Sequence, residues 1–165
     1  MHDKGGIEYI GVDIRMELKQ KAKRYFAKYK NIKSKFIVSS IDNFCNNIKL
    51  EKDSVLTIFP FNLIGNLNNI KSLLERCYNN QYDIIISQFN TTLYAKKIRK
   101  IYYKKCFKSN LFFYDNKNSH IFKNEIFESI SYKKEYIIEI CNEIGFTCVD
   151  FIETDLFCIQ YFRRT

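Results

Sequence analysis

Residues 8–14 have the sequence EYIGVDI, a short and mostly apolar run that carries an acid, Asp13, near its end. A strand that is apolar at nearly every position is covered on both faces, which is typical of a parallel sheet. Residues 16–29 place apolar side chains near the 3.6-residue period among Lys and Arg, which indicates a helix. The segment therefore predicts a strand followed by a helix, with Asp13 at the tip of the strand.

The alternation of strands and helices continues along the chain. Further strands are predicted at 35–40, 54–59 and 82–89, a loop followed by a helix at 63–80, and further helices at about 91–106 and 133–144. Residues 146–152 and 156–162 have only a short connection, which predicts a closing antiparallel hairpin. Residues 111–131 are less regular and indicate a hairpin or a lid. The order predicts one α/β domain over residues 1–165, with a mostly parallel, Rossmann-like sheet.

The composition limits the function classes. The chain carries 27 basic and 18 acidic side chains, a formal charge of +9. Basic proteins attract polyanions such as nucleic acid, although abundant Lys also fits an AT-rich genome and a solvated surface. Six cysteines without a C-x-x-C pair argue against a disulfide scaffold or a metal site and favour a reduced, cytoplasmic compartment. No apolar run reaches the ~20 residues of a membrane helix, so no membrane association is expected.

In this order of elements the chain resembles a class I S-adenosylmethionine-dependent methyltransferase. Residues 8–14 resemble that family's second strand, whose closing acid holds the cofactor ribose, and Asp13 stands at that position. A carboxylate can accept hydrogen bonds from both vicinal hydroxyls of a ribose. The alternative role for Asp13 is a helix N-cap, because it precedes the predicted helix. The resemblance implies S-adenosyl-L-methionine as the cofactor.

The next two strands extend this resemblance. Residues 36–44 resemble the family's third strand and its loop, where an acid lies beside the adenine; Ser40 stands there in this chain. Either Asp42 supplies that acid in a shifted register, or Ile41 packs against the adenine, and Asp42 as a turn cap is the alternative. Residues 55–66 resemble the fourth strand, whose tip faces the methyl group and its acceptor.

The end of this fourth strand has the sequence Phe59-Pro60-Phe61-Asn62. Ligands of open α/β sheets collect at the carboxyl ends of strands. The resemblance implies that Phe59 contacts the cofactor, while Phe61 and Asn62 would offer a flat apolar wall and one amide to a planar acceptor. A strand end with a simple turn is the alternative.

Residues 86–89 have the sequence ISQF, which resembles an element of messenger RNA cap guanine methyltransferases. Those enzymes carry their Gln-Phe one strand earlier. Gln88 and Asn90, at the end of this strand, are therefore two further candidates for binding the substrate.

The family's first strand and glycine-rich loop have no counterpart in the chain, since Gly5-Gly6 precede the strand at 8–14. Glycine is what lets the backbone approach the cofactor at a helix N-terminus. The resemblance therefore implies an N-terminally truncated domain whose second and fourth strands lack their shared neighbour. The expected function is methyl transfer to a nitrogen or oxygen of an RNA or small-molecule acceptor, with inactivity as the alternative; no catalytic residue is assigned.

Two other functions fit parts of the sequence. Residues 96–105 have the sequence KKIRKIYYKK, in which Lys96, Lys97 and Lys100 alternate with apolar and aromatic residues. This pattern favours a non-catalytic nucleic-acid-binding module, with an ordinary solvated helix face as the alternative. A dinucleotide-dependent oxidoreductase would also use Asp13, but G-x-G-x-x-G is missing from the sequence.

Two further expectations concern particular side chains. The helix at 91–106 is predicted to pack through an apolar side formed by Leu93, Ile98, Ile101 and Tyr102. His120 falls in the irregular stretch and is predicted to be an exposed loop histidine, not a base.

Overall fold

A computed structural model describes residues 8–47, 50, 55–107 and 110–165. The chain divides into two compact units, Met1–Lys49 and Leu50–Thr165. The single domain over residues 1–165 stays a prediction. Within the described residues, no helix is both long and apolar enough to cross a bilayer.

The first unit confirms the strand–helix–strand order expected at the start of the chain. It contains β1 (Glu8–Asp13), α1 (Met16–Phe26), β2 (Lys33–Val38) and α2 (Ile41–Asn47). β1 and β2 pair in parallel, with Asp13 opposite Val38. β2 begins two residues before the predicted strand, because Lys33 and Ser34 pair with Glu8 and Tyr9.

An aromatic cluster holds this first unit together. The ring of Tyr9 stacks on Phe26 with centroids 4.5 Å apart, and Phe26 meets Phe36 edge-on at 5.3 Å. Stacked and edge-on ring pairs each add about 0.5–1.5 kcal/mol beyond their area burial. A Cβ at Gly11 would lie 2.7 Å from the Phe36 ring, so the glycine in β1 makes room for that ring.

The second unit contains the remaining elements. In chain order they are β3 (Val55–Phe59), a 3₁₀ turn (Leu63–Asn66), α3 (Ile70–Asn79), β4 (Tyr82–Phe89), α4 (Leu93–Cys106), β5 (Phe112–Asp115), β6 (Ser119–Lys123), β7 (Glu128–Tyr132), α5 (Lys134–Ile144), β8 (Phe146–Glu153) and β9 (Phe157–Arg164). The predicted strand at 82–89 is confirmed to the residue. The loop followed by a helix that was predicted at 63–80 is confirmed as the 3₁₀ turn followed by α3.

The larger sheet of this unit has the strand order β3-β4-β9-β8. β3 and β4 are parallel, whereas β9 is antiparallel to both β4 and β8. The predicted closing hairpin is therefore confirmed, whereas the expectation of a mostly parallel sheet is not confirmed for this unit, in which only the β3–β4 pairing is parallel. The reason is that the second strand of the hairpin, β9, inserts beside β4, so both of its pairings are antiparallel.

One face of β4 forms the core of this unit. Ile84 and Ile86 on that face are fully buried, as are Phe59 of β3 and Phe162 of β9. α3 and α5 cover the sheet with buried residues such as Leu73 and Ile137. The alternate residues of β4, such as Ile85, are half-buried, so the strand is not covered equally on both faces.

Residues 112–132 form an antiparallel sheet with the order β5-β6-β7, called here the β5–β7 sheet. The sequence predicted only a hairpin or lid, because the strands are short and their turns contain Asn instead of Gly or Pro. Asn116, for example, accepts hydrogen bonds on Oδ1 from Asn118 N and Ser119 Oγ, both at 2.9 Å. Such a side-chain bond to the backbone two residues on stabilises a tight turn.

Two side-chain predictions for this region are wrong. His120 lies on β6 with its side chain only 13% exposed, and its Nε2 is 3.3 Å from Asp115 Oδ1. Burial, the larger cause, lowers the pKa of His120, while the neighbouring Asp115 opposes that shift. α4 packs through Ala95, Arg99 and Tyr103, whereas most of the predicted apolar side is exposed.

The reversed face of α4 follows from what it packs against. Tyr103 donates from its hydroxyl to Ser129 Oγ of β7 at 2.9 Å, and Arg99 Nη2 donates to Ser129 O at 3.1 Å. A polar strand is the neighbour, so hydrogen-bonding side chains face inward. Leu93, Ile101 and Tyr102 are left on the solvent side, at 83%, 46% and 56% exposure.

Candidate functional site

Asp13 ends β1, and its carboxylate is bound by the residue two places on. Asp13 Oδ1 accepts hydrogen bonds from Arg15 N at 2.9 Å and Arg15 Nε at 3.1 Å. The N-cap of α1 is Arg15, whose side chain makes no capping bond, so Asp13 does not take the alternative role of N-cap. The hydrogen bond from Arg15 lowers the pKa of Asp13, which keeps this partly exposed carboxylate ionised at neutral pH.

The ends of β1 and β2 lie side by side. Ser39 N donates to Asp13 O at 3.1 Å, which brings the loop after β2 next to Asp13. Ser40 Oγ accepts from Asn43 N at 3.1 Å, and Ser40 O accepts from Phe44 N at 3.0 Å. Ser40 therefore caps α2, so Asp42 is not needed for that role. Ile41 is half-buried and Asp42 is exposed in the first turn of α2.

In the second unit, the end of β3 turns sharply at Phe61 and Asn62. Both have positive φ, 45° and 59°, the left-handed region that costs non-glycine residues about 1–2 kcal/mol each. The Phe61 side chain is 89% exposed, while Asn62 is 2% exposed. Phe59, the third residue predicted here, is fully buried in the core.

The Asn62 side chain joins three strands of this unit. Its Nδ2 donates to Ile130 O at 2.8 Å and to Ser129 Oγ at 3.1 Å, both on β7. Its Oδ1 accepts from Phe89 N of β4 and from Ser131 Oγ of β7, each at 3.3 Å. Asn62 thereby ties the tip of β3 to β4 and to the β5–β7 sheet.

Gln88 and Asn90, at the end of β4, are also buried and bonded within the protein. Gln88 Oε1 accepts from Tyr132 N at 3.1 Å, and its Nε2 has no partner within the described residues. Asn90 Nδ2 donates to Thr154 O at 2.8 Å and to Glu153 Oε1 at 3.1 Å. The structure thus brings Asn62 and Gln88 together against β7, and it ties Asn90 to the β8–β9 turn.

Arg99 is a buried residue of this region that the sequence did not single out. It is 1% exposed, and the Phe122 and Phe89 rings lie 4.5 and 5.1 Å from its guanidinium carbon. Burial lowers its pKa, and its Nε and Nη1 have no hydrogen-bond partner in the described part of the chain. The signal that could have found it is the i, i+4 spacing of Ala95, Arg99 and Tyr103 on one helical face.

The three lysines predicted to bind nucleic acid separate in the structure. Lys96 Nζ lies 2.9 Å from Asp115 Oδ2 and 3.6 Å from the centre of the Phe113 ring. Lys97 and Lys100 are exposed. Lys96 is therefore engaged by the β5–β7 sheet, whereas the other two face solvent.

A cleft of about 540 Å³ lies between the segment after the β3 tip and the β5–β7 sheet. Its lining comprises Gly65, Asn66, Leu67, Asn68, Ile126, Phe127, Glu128, Ile130 and Tyr132. The close approach of Gly65 to β7 forms its floor, because a Cβ there would lie 1.8 Å from Ile130 O. The half-buried rings of Phe127 and Tyr132 give this cleft an apolar wall that could accommodate a small planar molecule.

Several solved structures that are similar to this chain are methyltransferases, among them S-adenosylmethionine-dependent ones. One from Clostridium acetobutylicum is 14% identical, with 94% of this chain and 74% of that chain covered at a TM-score of 0.58. One from Methanosarcina mazei is 13% identical, with 96% of this chain and 83% of that chain covered at a TM-score of 0.58. The 1,6-didemethyltoxoflavin-N1-methyltransferase of Burkholderia thailandensis is 12% identical, with 94% of this chain and 60% of that chain covered at a TM-score of 0.57.

These likenesses establish the fold. The chain has the class I fold of S-adenosylmethionine-dependent methyltransferases, as the resemblance in the sequence implied. At identities of 12–14% they do not extend to the activity of any one of these proteins. No protein-family model and no curated protein matches the sequence.

Proposed function

We propose that this chain binds S-adenosyl-L-methionine and transfers the methyl group to a nitrogen or oxygen acceptor. The observation that carries the proposal is Asp13, an ionised and partly exposed carboxylate at the carboxyl end of a parallel strand. Ligands of open α/β sheets bind at such strand ends. The fold shared with S-adenosylmethionine-dependent methyltransferases supports the same cofactor.

The residues of the first unit fit the adenosine half of this cofactor. The ionised Asp13 supplies two acceptor oxygens for two ribose hydroxyls. Arg15 now donates to both of these oxygens, so the ribose would share or replace the Arg15 contacts. Ile41 and Asp42 follow directly at the end of β2 and would flank the adenine. The glycine-rich turn of the family has no counterpart after any strand of this sequence, so the fit is limited to the adenosine half.

Bound S-adenosylmethionine supplies an activated methyl group on a sulfonium. The acceptor's lone pair forms the new bond to the methyl carbon while the carbon–sulfur bond breaks and its electron pair stays on sulfur; the acceptor's proton leaves to solvent. The chain's contribution to such an in-line displacement is positioning and exclusion of water, so it needs no nucleophile or metal of its own.

Phe61 and the neighbouring cleft are the proposed acceptor contacts. A ring held 89% exposed, at a backbone conformation that costs free energy, is better explained by contact with a partner molecule than by packing. Such a ring can stack on a planar heterocycle. The Burkholderia enzyme was solved with 1,6-didemethyltoxoflavin, and an acceptor of similar shape, or a base of RNA, fits this proposal. A cap guanine as acceptor stays a prediction.

Replacing Asp13 with Asn is expected to weaken the binding of S-adenosylhomocysteine about tenfold or more. The amide removes the charge and one of the two acceptor oxygens, and bonds to charged acceptors are the stronger ones. Isothermal titration calorimetry of the variant against the unchanged chain measures this loss. Asp155→Asn, at an exposed position in the β8–β9 turn, removes the same charge and should leave the affinity unchanged.

A nicotinamide dinucleotide, titrated in parallel, separates the proposal from the oxidoreductase alternative. Tighter binding of the dinucleotide than of S-adenosylhomocysteine would overturn the proposed cofactor. Equal affinity of Asp13→Asn and the unchanged chain for S-adenosylhomocysteine would show that Asp13 does not bind the cofactor.

A further inference from the structure

The solvent side of α4 carries lysines and large apolar residues without any acid. Lys97, Lys100, Lys104 and Lys105 are all exposed, and none of them forms an ion pair within the described residues. Leu93, Tyr94, Ile101 and Tyr102 share this side, with exposures between 46% and 83%. Exposed apolar side chains that are rimmed by charged residues are typical of an interaction surface, which indicates a partner.

The positive charge of the second unit is concentrated on this helix. Leu50–Thr165 contains 16 basic and 13 acidic residues, a net charge of +3. Six of those basic residues and none of the acids lie on α4, so the rest of the unit carries 10 basic and 13 acidic residues, a net charge of −3. A lysine-rich genome would spread the excess over the whole unit. The concentration on one helix therefore distinguishes α4 from a surface that is basic by composition alone.

The helical period arranges these side chains in two parallel rows. At 100° per residue, Lys97, Lys100 and Lys104 fall within about 60° of one another and form a row about 10 Å long. Tyr94, Ile101 and Lys105 form a second row beside it, with Tyr102 at its margin. Because Ala95, Arg99 and Tyr103 anchor the opposite face to the protein, both rows are held toward solvent.

We propose that this surface, the α4 stripe (Tyr94, Lys97, Lys100, Ile101, Tyr102 and Lys104), binds single-stranded nucleic acid. The lysine row would neutralise successive phosphates, and the tyrosines would stack on unpaired bases. A duplex presents its phosphates but keeps its bases stacked inside. It would therefore contact only the lysine row and bind more weakly than a single strand. Three residues separate the end of β4 from the start of α4, which places the first residues of the stripe close to Gln88 and Asn90 along the chain.

The order of charges along the stripe favours nucleic acid over an anionic membrane. A helix that lies in a membrane interface inserts a broad apolar face and keeps its cations at the flanks. On α4 the lysine row runs along one side of the exposed arc, and Lys105 interrupts the row of Tyr94 and Ile101, so no broad apolar face is exposed. Insertion of Tyr94 and Ile101 into a membrane would bury Lys105 with them, whereas binding along a phosphate backbone uses the lysines.

Neutralising Lys97 and Lys100 together is expected to weaken binding to a single-stranded RNA of about 12 nucleotides by about tenfold. The slope of log affinity against log salt should become shallower by about 1.4, because each phosphate contact contributes about 0.7 on single strands. Fluorescence anisotropy of labelled oligouridine, measured from low to moderate salt, gives both quantities. Lys117→Gln with Lys133→Gln removes the same charge at two exposed positions outside α4 and should change neither quantity.

Tyr94→Ala with Tyr102→Ala tests the second row. These changes are expected to weaken RNA binding about fivefold or more while leaving the salt slope unchanged, since stacking releases no counterions. Three results would overturn the proposal: equal losses in the Lys97/Lys100 and Lys117/Lys133 variants, equal affinity for a duplex, or binding to vesicles of phosphatidylcholine and phosphatidylserine without binding to RNA. None of these results depends on cofactor binding, so they do not test the methyl-transfer proposal, which the titration with S-adenosylhomocysteine tests separately.

Discussion

Replacing Asn62 with Ala is expected to lower the free energy of unfolding by about 4 kcal/mol. The change removes four hydrogen bonds made by a buried side chain, to Ser129, Ile130, Phe89 and Ser131. Each such bond contributes about 1 kcal/mol, and the partners left behind are buried. Alanine also tolerates the positive φ at this position less well than Asn does. Unfolding in urea, followed by circular dichroism, measures the loss.

Asn62→Gly separates the two causes of this loss. Glycine adopts a φ of 59° without strain but also removes the side-chain bonds, so it should be about 1 kcal/mol more stable than Asn62→Ala. Asn66→Ala, an exposed position on the same 3₁₀ turn, is the matched control and should cost less than about 0.5 kcal/mol. If Asn62→Ala and Asn66→Ala had the same stability, Asn62 would not be the junction of β3, β4 and β7.

Gly65→Ala is expected to cost at least about 3 kcal/mol and to loosen the β5–β7 sheet. The new Cβ would lie 1.8 Å from Ile130 O and 2.4 Å from Asn62 Nδ2. The first of these atoms is backbone in the middle of β7, so it cannot move without shifting the strand. Forcing extra volume into a packed site ordinarily costs 1–3 kcal/mol, and a backbone clash lies at or above the upper end.

Urea unfolding together with amide hydrogen exchange measures both parts of this effect. Exchange should accelerate at β6 and β7 and change little at β9, because β9 is held by β4 and β8. Gly11→Ala is the comparison: its Cβ would meet a Phe36 ring that can rotate aside, so its cost should be smaller. A Gly65→Ala protein as stable as the unchanged chain would show that the close contact with β7 is not required.

The sequence was sufficient for the parts of the fold that depend on burial along a single strand or helix. β1 and β4 were located because a short run of mostly apolar residues is typical of a strand. The structure does not cover either strand fully on both faces, since β1 is at most half-buried and β4 is buried on alternate residues. α5 was located by its amphipathic period and by Gly145, which ends the helix at a φ of 114°. The order in which strands join a sheet depends on contacts distant in sequence, so the insertion of β9 beside β4 could not be predicted locally.

The β5–β7 sheet and the packing face of α4 escaped prediction for one physical reason. Both depend on buried polar side chains that are hydrogen-bonded to another strand, as Arg99 Nη2 and the Tyr103 hydroxyl are to Ser129. Hydrophobic patterning assigns such residues to solvent. His120 was placed in an exposed loop for the same reason, and it lies on β6 against Phe113.

For the candidate site, sequence reasoning identified where the strand ends lie but not which side chains are exposed there. Asp13 and Phe61 are accessible, whereas Asn62 and Gln88 are bonded to β7. The difference is set by the β5–β7 sheet, for which the sequence indicated only a hairpin or a lid. Among the predicted substrate contacts, Phe61 is the one whose geometry favours an outside partner, and the others stay predictions.

The proposed cofactor site is tested most directly by titrating the isotope-labelled chain with S-adenosylhomocysteine and recording amide chemical shifts. The expected result is a saturable set of shifts at Asp13, Arg15, Ser39 and Ile41, where the ends of β1 and β2 meet. Arg15 should be among the largest, because its contacts to Asp13 must be shared with the ribose. Spectra that do not change on saturation with S-adenosylhomocysteine, or shifts confined to residues away from these strand ends, would contradict the proposal.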